Sequence, residues 1–234
     1  MFIIGMHCFN ETVLEKNYTK AYKYFAKSAD CGFTSSYFML GVLYESGIAV
    51  PQDYIKAFYY YQKAGDRGHM GAYYSIGKYF FEGDFVKQNY TKANEYFKKD
   101  ADLGLPVAMY FLAYNYQDGD GIKQDYNKAI EYFQKAANLN HPQSYTRLGL
   151  LYNKGLGVKQ SYTKANEYFQ KAADLGCEYA HYNIALNYEY GNGFKQNYDK
   201  AIEFYKKAAE LGFEDAYHKI SEVIKKKKKA GKEL

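Results

Sequence analysis

Residues 89 to 104 read NYTKANEYFKKDADLG and residues 161 to 176 read SYTKANEYFQKAADLG, 72 positions apart. Cutting the chain before every equivalent Asn-Tyr, Asp-Tyr or Ser-Tyr halves that distance. Copies open at Asn17, Asp53, Asn89, Asp125, Ser161 and Asn197, each 36 residues after the last. A strict period of this length marks a solenoid, in which each copy is one supersecondary unit stacked on its neighbours.

Each copy opens on Asn, Asp or Ser, whose side chains accept from the free N–H groups of a helix start. An unbroken Tyr follows (Tyr18, Tyr54, Tyr90, Tyr126, Tyr162, Tyr198), then an unbroken Lys at the fourth place and Ala at the fifth, with aromatic pairs at the eighth and ninth, as in Tyr96-Phe97. Places two, five, nine and twelve share one helical face, which is predicted to be buried. The sixteenth place is Gly in five copies and Asn140 in the other. Gly and Asn are the residues that best tolerate the left-handed conformation ending a helix. A second helix follows, patterned as Tyr37-x-x-Leu40-Gly41-x-x-Tyr44 or Tyr145-x-x-Leu148-Gly149-x-x-Tyr152, with a small residue where a neighbouring helix comes close. It stops at a Gly, and the short loop to the next copy ends in Gln (Gln52, Gln88, Gln124, Gln160, Gln196), with an apolar residue such as Val86 or Val158 plugging the end of the pair. Asp100 breaks the pattern, a carboxylate at a twelfth place held elsewhere by Ala or Ser28. It is expected to bond a tyrosine hydroxyl or a lysine at the repeat junction, because an unpaired buried carboxylate is costly.

A chain of 234 residues, 47% of them hydrophobic, can fill a core. No apolar run is long enough to span a membrane, and the opening MFIIGMHCF lacks the positive start and small-residue cleavage site of a signal peptide. The net charge of +5 lies in residues 225 to 234, six lysines against one glutamate, so the body is neutral. A neutral body lacks the basic stripe of a nucleic-acid binder. Cys8, Cys31 and Cys177 share no repeat position, which gives neither a disulfide framework nor a zinc site and points to a reducing, cytoplasmic setting. Catalytic motifs are missing, the G-x-G strings fall in inter-helix loops, and His69 and His141 lie two copies apart, so no enzyme, cofactor or metal is expected. Asn10, Asn17 and Asn89 open N-x-[ST] sequons, but Asn17 and Asn89 are already accounted for as caps.

The strings DYNKAIEYFQKAANLN from Asp125 and AHYNIALNYEYGNGF from Ala180 resemble Sel1-like repeats, relatives of the tetratricopeptide repeats, and the resemblance recurs over nearly the whole chain. It implies an all-α, right-handed α/α superhelix of six repeats in which the helix bearing Leu-Gly comes first and lines the concave wall. On that phasing the solenoid occupies residues 1–224, with helix pairs at about 1–32, 33–68, 69–104, 105–140, 141–176 and 177–212, a capping helix at 213–224 and a basic tail at 225–234. The implied function is a protein-interaction scaffold or adaptor, monomeric or weakly self-associating, that binds a peptide or partner helix. Cysteine-rich relatives have been described as acting on β-lactams, but they staple each helix pair with two cysteines, a pattern this chain lacks. Nucleic-acid binding through Lys225 to Lys229 is the other alternative.

Positions on the Leu-Gly helix that vary from copy to copy are expected to line the groove. They form three rows: Phe38, Tyr74, Tyr110, Thr146 and Tyr182; Val42, Lys78, Tyr114, Leu150 and Leu186; Glu45, Phe81, Gln117, Asn153 and Glu189. Aromatic density peaks around Tyr74, Lys78, Phe81, Tyr110 and Tyr114, and aromatic side chains anchor interfaces. Arg147, Asn183 and Lys219 share one further position, which by likeness to tetratricopeptide domains would be part of a clamp for a C-terminal carboxylate.

Overall fold

The computed structural model describes residues 1–10, the side chain of Asn10 excepted, and residues 17–230. Among these the chain forms thirteen α-helices and no strand: α1 (Phe2–Asn10), α2 (Tyr18–Asp30), α3 (Thr34–Ser46), α4 (Tyr54–Gly65), α5 (Ala72–Glu82), α6 (Tyr90–Asp102), α7 (Pro106–Asp118), α8 (Tyr126–Asn138), α9 (Pro142–Lys154), α10 (Tyr162–Asp174), α11 (Glu178–Tyr190), α12 (Tyr198–Glu210) and α13 (Asp215–Ala230). They divide into two compact units, residues 1–115 with 119–123, and residues 116–118 with those from 124 onward. Within each unit an odd-numbered helix packs most tightly on the even-numbered helix that follows, as α3 does on α4 and α9 on α10.

The invariant residues each have a physical task. All six cap residues accept from the backbone N–H three positions on, at 2.9 Å for Asn17 and Asp53, 3.0 Å for Asn89 and Asn197, 3.1 Å for Asp125 and 3.3 Å for Ser161. Asn140 adopts φ +59°, the left-handed conformation its glycine counterparts take. Each loop glutamine donates Nε2 to a carbonyl near the end of the preceding odd helix, Gln88 to Phe81 at 2.8 Å and Gln160 to Asn153 at 2.9 Å, and also to the hydroxyl of the invariant Tyr, at 3.0 Å for Tyr90 and 3.1 Å for Tyr162. That Tyr therefore serves as a latch between loop and even helix.

The invariant Lys is not simply a solvated charge. Its ammonium lies over an odd-helix ring: Lys56 over Tyr44 at 5.2 Å, Lys92 over Phe80 at 5.2 Å, Lys128 over Tyr116 at 5.3 Å, Lys164 over Tyr152 at 5.3 Å and Lys200 over Tyr188 at 5.1 Å. The eighth-place ring, one turn further along, stacks on the same partner, Tyr96 on Phe80 at 5.8 Å and 5°, Tyr132 on Tyr116 at 5.9 Å and 9°. An i, i+4 pair on one helix so grips one ring on the other.

The ninth place is the centre of each pair. Phe25, Tyr61, Phe97, Phe133, Phe169 and Tyr205 are almost wholly buried. Where this place holds Tyr, the odd helix supplies Glu: Tyr61 donates to Glu45 Oε2 at 2.5 Å and Tyr205 to Glu189 Oε2 at 2.7 Å. Where it holds Phe, the same odd-helix position is Phe9, Phe81, Gln117 or Asn153. The sixth place is matched in the same way. Asn94 Oδ1 accepts from Asn115 at 2.6 Å and Asn166 Oδ1 accepts from Asn187 at 2.5 Å, while the equivalent two positions hold Phe58 and Tyr79 in one copy and Ile130 and Leu151 in another. The two asparagines of the repeated NYTKANEYF and SYTKANEYF strings also donate Nδ2 to loop carbonyls, Asn94 to Asp120 at 2.8 Å and Asn166 to Asn192 at 3.1 Å.

Asp100 bonds neither a tyrosine hydroxyl nor a lysine. Its Oδ2 accepts from the backbone N–H groups of Gly71 at 3.0 Å and Tyr74 at 2.7 Å, at the start of α5. There α5 begins late, after Gly71 at φ +95° and with no side-chain cap of its own. A carboxylate from α6 therefore caps the start of its own pair partner, the preceding helix α5, while its Oδ1 is buried without a partner. Burial raises the Asp100 pKa, opposed by the N–H groups of Tyr74, Gly71 and Tyr73.

At the chain end, α13 runs past residue 224 to Ala230, because lysine is a good helix former and the run is anchored: Lys226 meets Glu189 Oε1 at 2.6 Å, and Lys227 pairs with Asp199. The sequons at Asn17 and Asn89 have Oδ1 engaged as caps, and the one opening at Asn10 runs into residues outside those described.

Two outcomes follow for stability. Tyr205→Phe leaves Glu189 short of a donor and is expected to cost about 1–3 kcal/mol in urea unfolding. Combined with Glu189→Gln, its cost should fall well below the sum of the single changes. Because the folded-state pKa of Asp100 is raised, its contribution is most favourable below the ordinary carboxylate range and is lost as pH rises through the raised value. Asp100→Asn should thus gain stability over the parent at pH 7, with the gap narrowing toward pH of about 3.5, read from urea midpoints across that range.

Candidate functional site

In the first unit the sequence-selected residues come from three odd helices. Phe38 stands on α3, Tyr74, Lys78 and Phe81 on α5, and Tyr110 and Tyr114 on α7, and all six are half-buried. Phe38 stacks on His69 at 4.4 Å and 14°, and packs on Tyr61 at 5.4 Å. Burial lowers the His69 pKa and so keeps the imidazole neutral against that ring.

Tyr74 and Phe81 are joined by a residue the sequence reading passed over. Phe111 lies 5.7 Å from Tyr74, 5.2 Å from Phe81 and 5.3 Å from the buried Phe97. Tyr110 meets Phe111 edge-on at 5.5 Å and leans toward Tyr114 at 6.5 Å. The signal for Phe111 was present: it occupies the position held by Arg147 and Asn183 in later copies, where polar clamp residues were sought. Lys78 pairs with Glu82 at 3.2 Å. Burial opposes the Lys78 ammonium, but the bond to Glu82 and the surrounding charges outweigh it and raise its pKa. The first unit therefore carries a layered aromatic face with one ion pair along its edge.

In the second unit the expected row does not form an open surface. Thr146 is 3% exposed, donates to Pro142 O at 3.2 Å and sits 3.4 Å from Cys177 Sγ. Asn183 is 6% exposed and donates Nδ2 to Tyr179 O at 2.7 Å, while Lys219 is taken up by Glu222 at 2.8 Å. Arg147 is half-buried on α9, and its two supposed clamp companions already have partners. Leu150 packs against the core around Phe169. Tyr182 packs on Phe213 at 4.7 Å and Tyr205 at 5.2 Å. Glu189, expected in the third row, is 1% exposed, held by Tyr205 and Lys226. Thr146, Asn183 and Glu189 are thus interior residues with partners of their own, while Arg147, Leu150 and Tyr182 are half-buried like the first-unit residues.

Two open clefts recur at one repeat position. In the first unit a cleft of about 580 Å³ is lined by Phe80, Val86, Gln88 and Lys92, and in the second one of about 450 Å³ by Tyr152, Val158, Gln160 and Lys164. Their walls are the lysine-over-ring pairs and loop latches already assigned to the fold.

A family model described as Sel1 repeat matches residues 1–33, 34–69, 71–105, 106–141, 142–177 and 178–213. Among solved structures, the chain is similar to a protective antigen of uropathogenic Escherichia coli that displays an SLR fold, at 29% identity and TM-score 0.87 over 96% of this chain. It spans about half of that protein, 48% of its length. It is also similar to a Sel1 repeat protein from Oxalobacter formigenes, at 29% identity and TM-score 0.84, covering 92% of this chain and 86% of that one. A likeness to a Klebsiella pneumoniae protein described as a sel1 repeat protein, at 22% identity and TM-score 0.56, with 86% of this chain and 98% of that one covered, extends to the fold alone. Comparison with curated protein sequences returns no match. The fold is an all-α repeat superhelix with a C-terminal helix, and the chain belongs to the Sel1 repeat family.

Proposed function

We propose that this protein is an interaction scaffold whose first unit holds a peptide or helix of a partner protein against the aromatic face of α5 and α7. Sel1 repeat proteins in general mediate contacts between proteins and are generally not enzymes. The observation that carries the reading is the layer Tyr74, Phe111 and Phe81 on the buried Phe97, continued by Tyr110 and Tyr114. Such rings are held by packing, so they offer large contact area at little further cost in side-chain entropy. Among the described residues no helix is long and apolar enough to cross a membrane.

The test is capture of partners from the source organism with the parent and with Tyr74→Ala/Tyr110→Ala/Tyr114→Ala, after circular dichroism shows the variant folded. Tyr59→Ala, at an exposed ring on α4, serves as control. A partner lost with the triple variant alone places the interaction on α5 and α7. One retained equally by all three proteins removes it from that face.

A further inference from the structure

The pairing of a ninth-place tyrosine with a glutamate occurs twice, at Tyr61–Glu45 and Tyr205–Glu189, 144 residues apart. In the second unit the site is complete. Tyr205 donates to one carboxylate oxygen of Glu189 at 2.7 Å and the Lys226 ammonium takes the other at 2.6 Å. A neutral phenol cannot cancel the glutamate's charge, and the lysine does so.

In the first unit the same pair is built without its cation. Tyr61 donates to Glu45 Oε2 at 2.5 Å, and no lysine, arginine or histidine among the described residues forms an ion pair with Glu45. Lys78, on the neighbouring odd helix, is committed to Glu82 at 3.2 Å. A second phenol adjoins the site: the buried Tyr79 hydroxyl makes no hydrogen bond of good geometry, and its pKa is raised by burial, then by the Glu45 charge and a loose approach of the phenol to that carboxylate. The Tyr61 pKa is raised by burial and by its bond to Glu45, so the phenol there stays a donor rather than a charge. Glu45 itself is half-buried, on the α3 face that also carries Phe38 and Val42.

We infer that Glu45, held by Tyr61, is the seat for a lysine or arginine side chain from a segment of a partner protein. This rests on the reading of the first unit as a partner-binding surface. The charge balance favours such an occupant: Glu45 and Glu82 face a single lysine, Lys78. Apolar Phe38 and Val42 on the same face call for apolar residues beside the cation, as α13 provides Ile220, Val223 and Ile224 ahead of Lys226. The source is another protein rather than a second copy of this chain, because this chain's own Lys226 is already bound to Glu189.

The probe is a labelled synthetic peptide, YHKISEVIKKKKKA, the sequence of residues 217–230, beside a control in which every lysine is glutamine. Fluorescence anisotropy with the full chain should show the lysine peptide binding and the glutamine peptide binding at least about tenfold more weakly, the scale of one charge-assisted hydrogen bond. Glu45→Gln should lose about tenfold in affinity, and Glu82→Gln, on the exposed turn, less than about twofold. Equal affinity of the parent and Glu45→Gln, or no binding of the lysine peptide by the parent, overturns the seat. The Tyr74/Tyr110/Tyr114 variant separates the two readings: loss there with Glu45→Gln unaffected sinks the seat and leaves the aromatic face standing. Loss with Glu45→Gln alone keeps the seat and sinks the face. Sedimentation of the intact chain completes the test, and concentration-dependent association abolished by Glu45→Gln would reassign the seat to a second copy and overturn the partner assignment.

Discussion

At the middle of the helix pairs α1–α2, α3–α4, α5–α6 and α9–α10 an aromatic ring from the even helix lies against the backbone of the odd helix, and the space for it is made by an absent side chain. A Cβ on Gly149 would fall 2.5 Å from Phe169, on Gly77 2.7 Å from Phe97, and on Gly41 2.6 Å from Tyr61. In α11 the same position holds Ala185, one methyl group larger. Close approach of the two backbones follows, and with it the reach of every other contact: the lysine over its ring, the glutamine to its carbonyl and the eighth-place stack all span the same short gap. Such interiors are intolerant of added volume.

Within this fixed frame, variation is paired. The chain does not place a polar group at the sixth or ninth position unless the facing odd helix supplies its partner, so Asn94 answers Asn115 and Tyr205 answers Glu189. The reason is the cost of an unmatched polar atom in a dry interior, larger than the gain from any single bond. The near-identity of residues 89–104 and 161–176 reflects this rule, since both strings carry the asparagine that ties two helices and a loop together.

Asp100 shows the rule relaxed. The start of α5 lacks its own cap, and α6 supplies one at the price of a buried carboxylate whose second oxygen is unmatched. Local regularity is given up at the helix next to the aromatic face, since Tyr74, whose N–H takes the shorter of the two bonds, is also a member of that face. The cap thus fixes the backbone from which the first ring of the surface projects.

The repeat, its caps, the buried fifth and ninth places and the helical class were determined by the sequence alone, because period, cap chemistry and helical faces depend on residues within one turn or one copy of each other. Surface and interior on the odd helices were not legible in the same way. Thr146, Asn183 and Glu189 stand at positions expected to line the groove or the clamp yet are buried: Cys177, just ahead of α11, meets Thr146, Lys226 from α13 meets Glu189, and Asn183 turns back on the Tyr179 carbonyl of its own helix. Phe111 was hidden for the opposite reason, an aromatic at a position that later copies make polar. Which carboxylate receives a cation from its own chain and which is left with a phenol alone is a matter of which helix follows, and only the tertiary structure decided it.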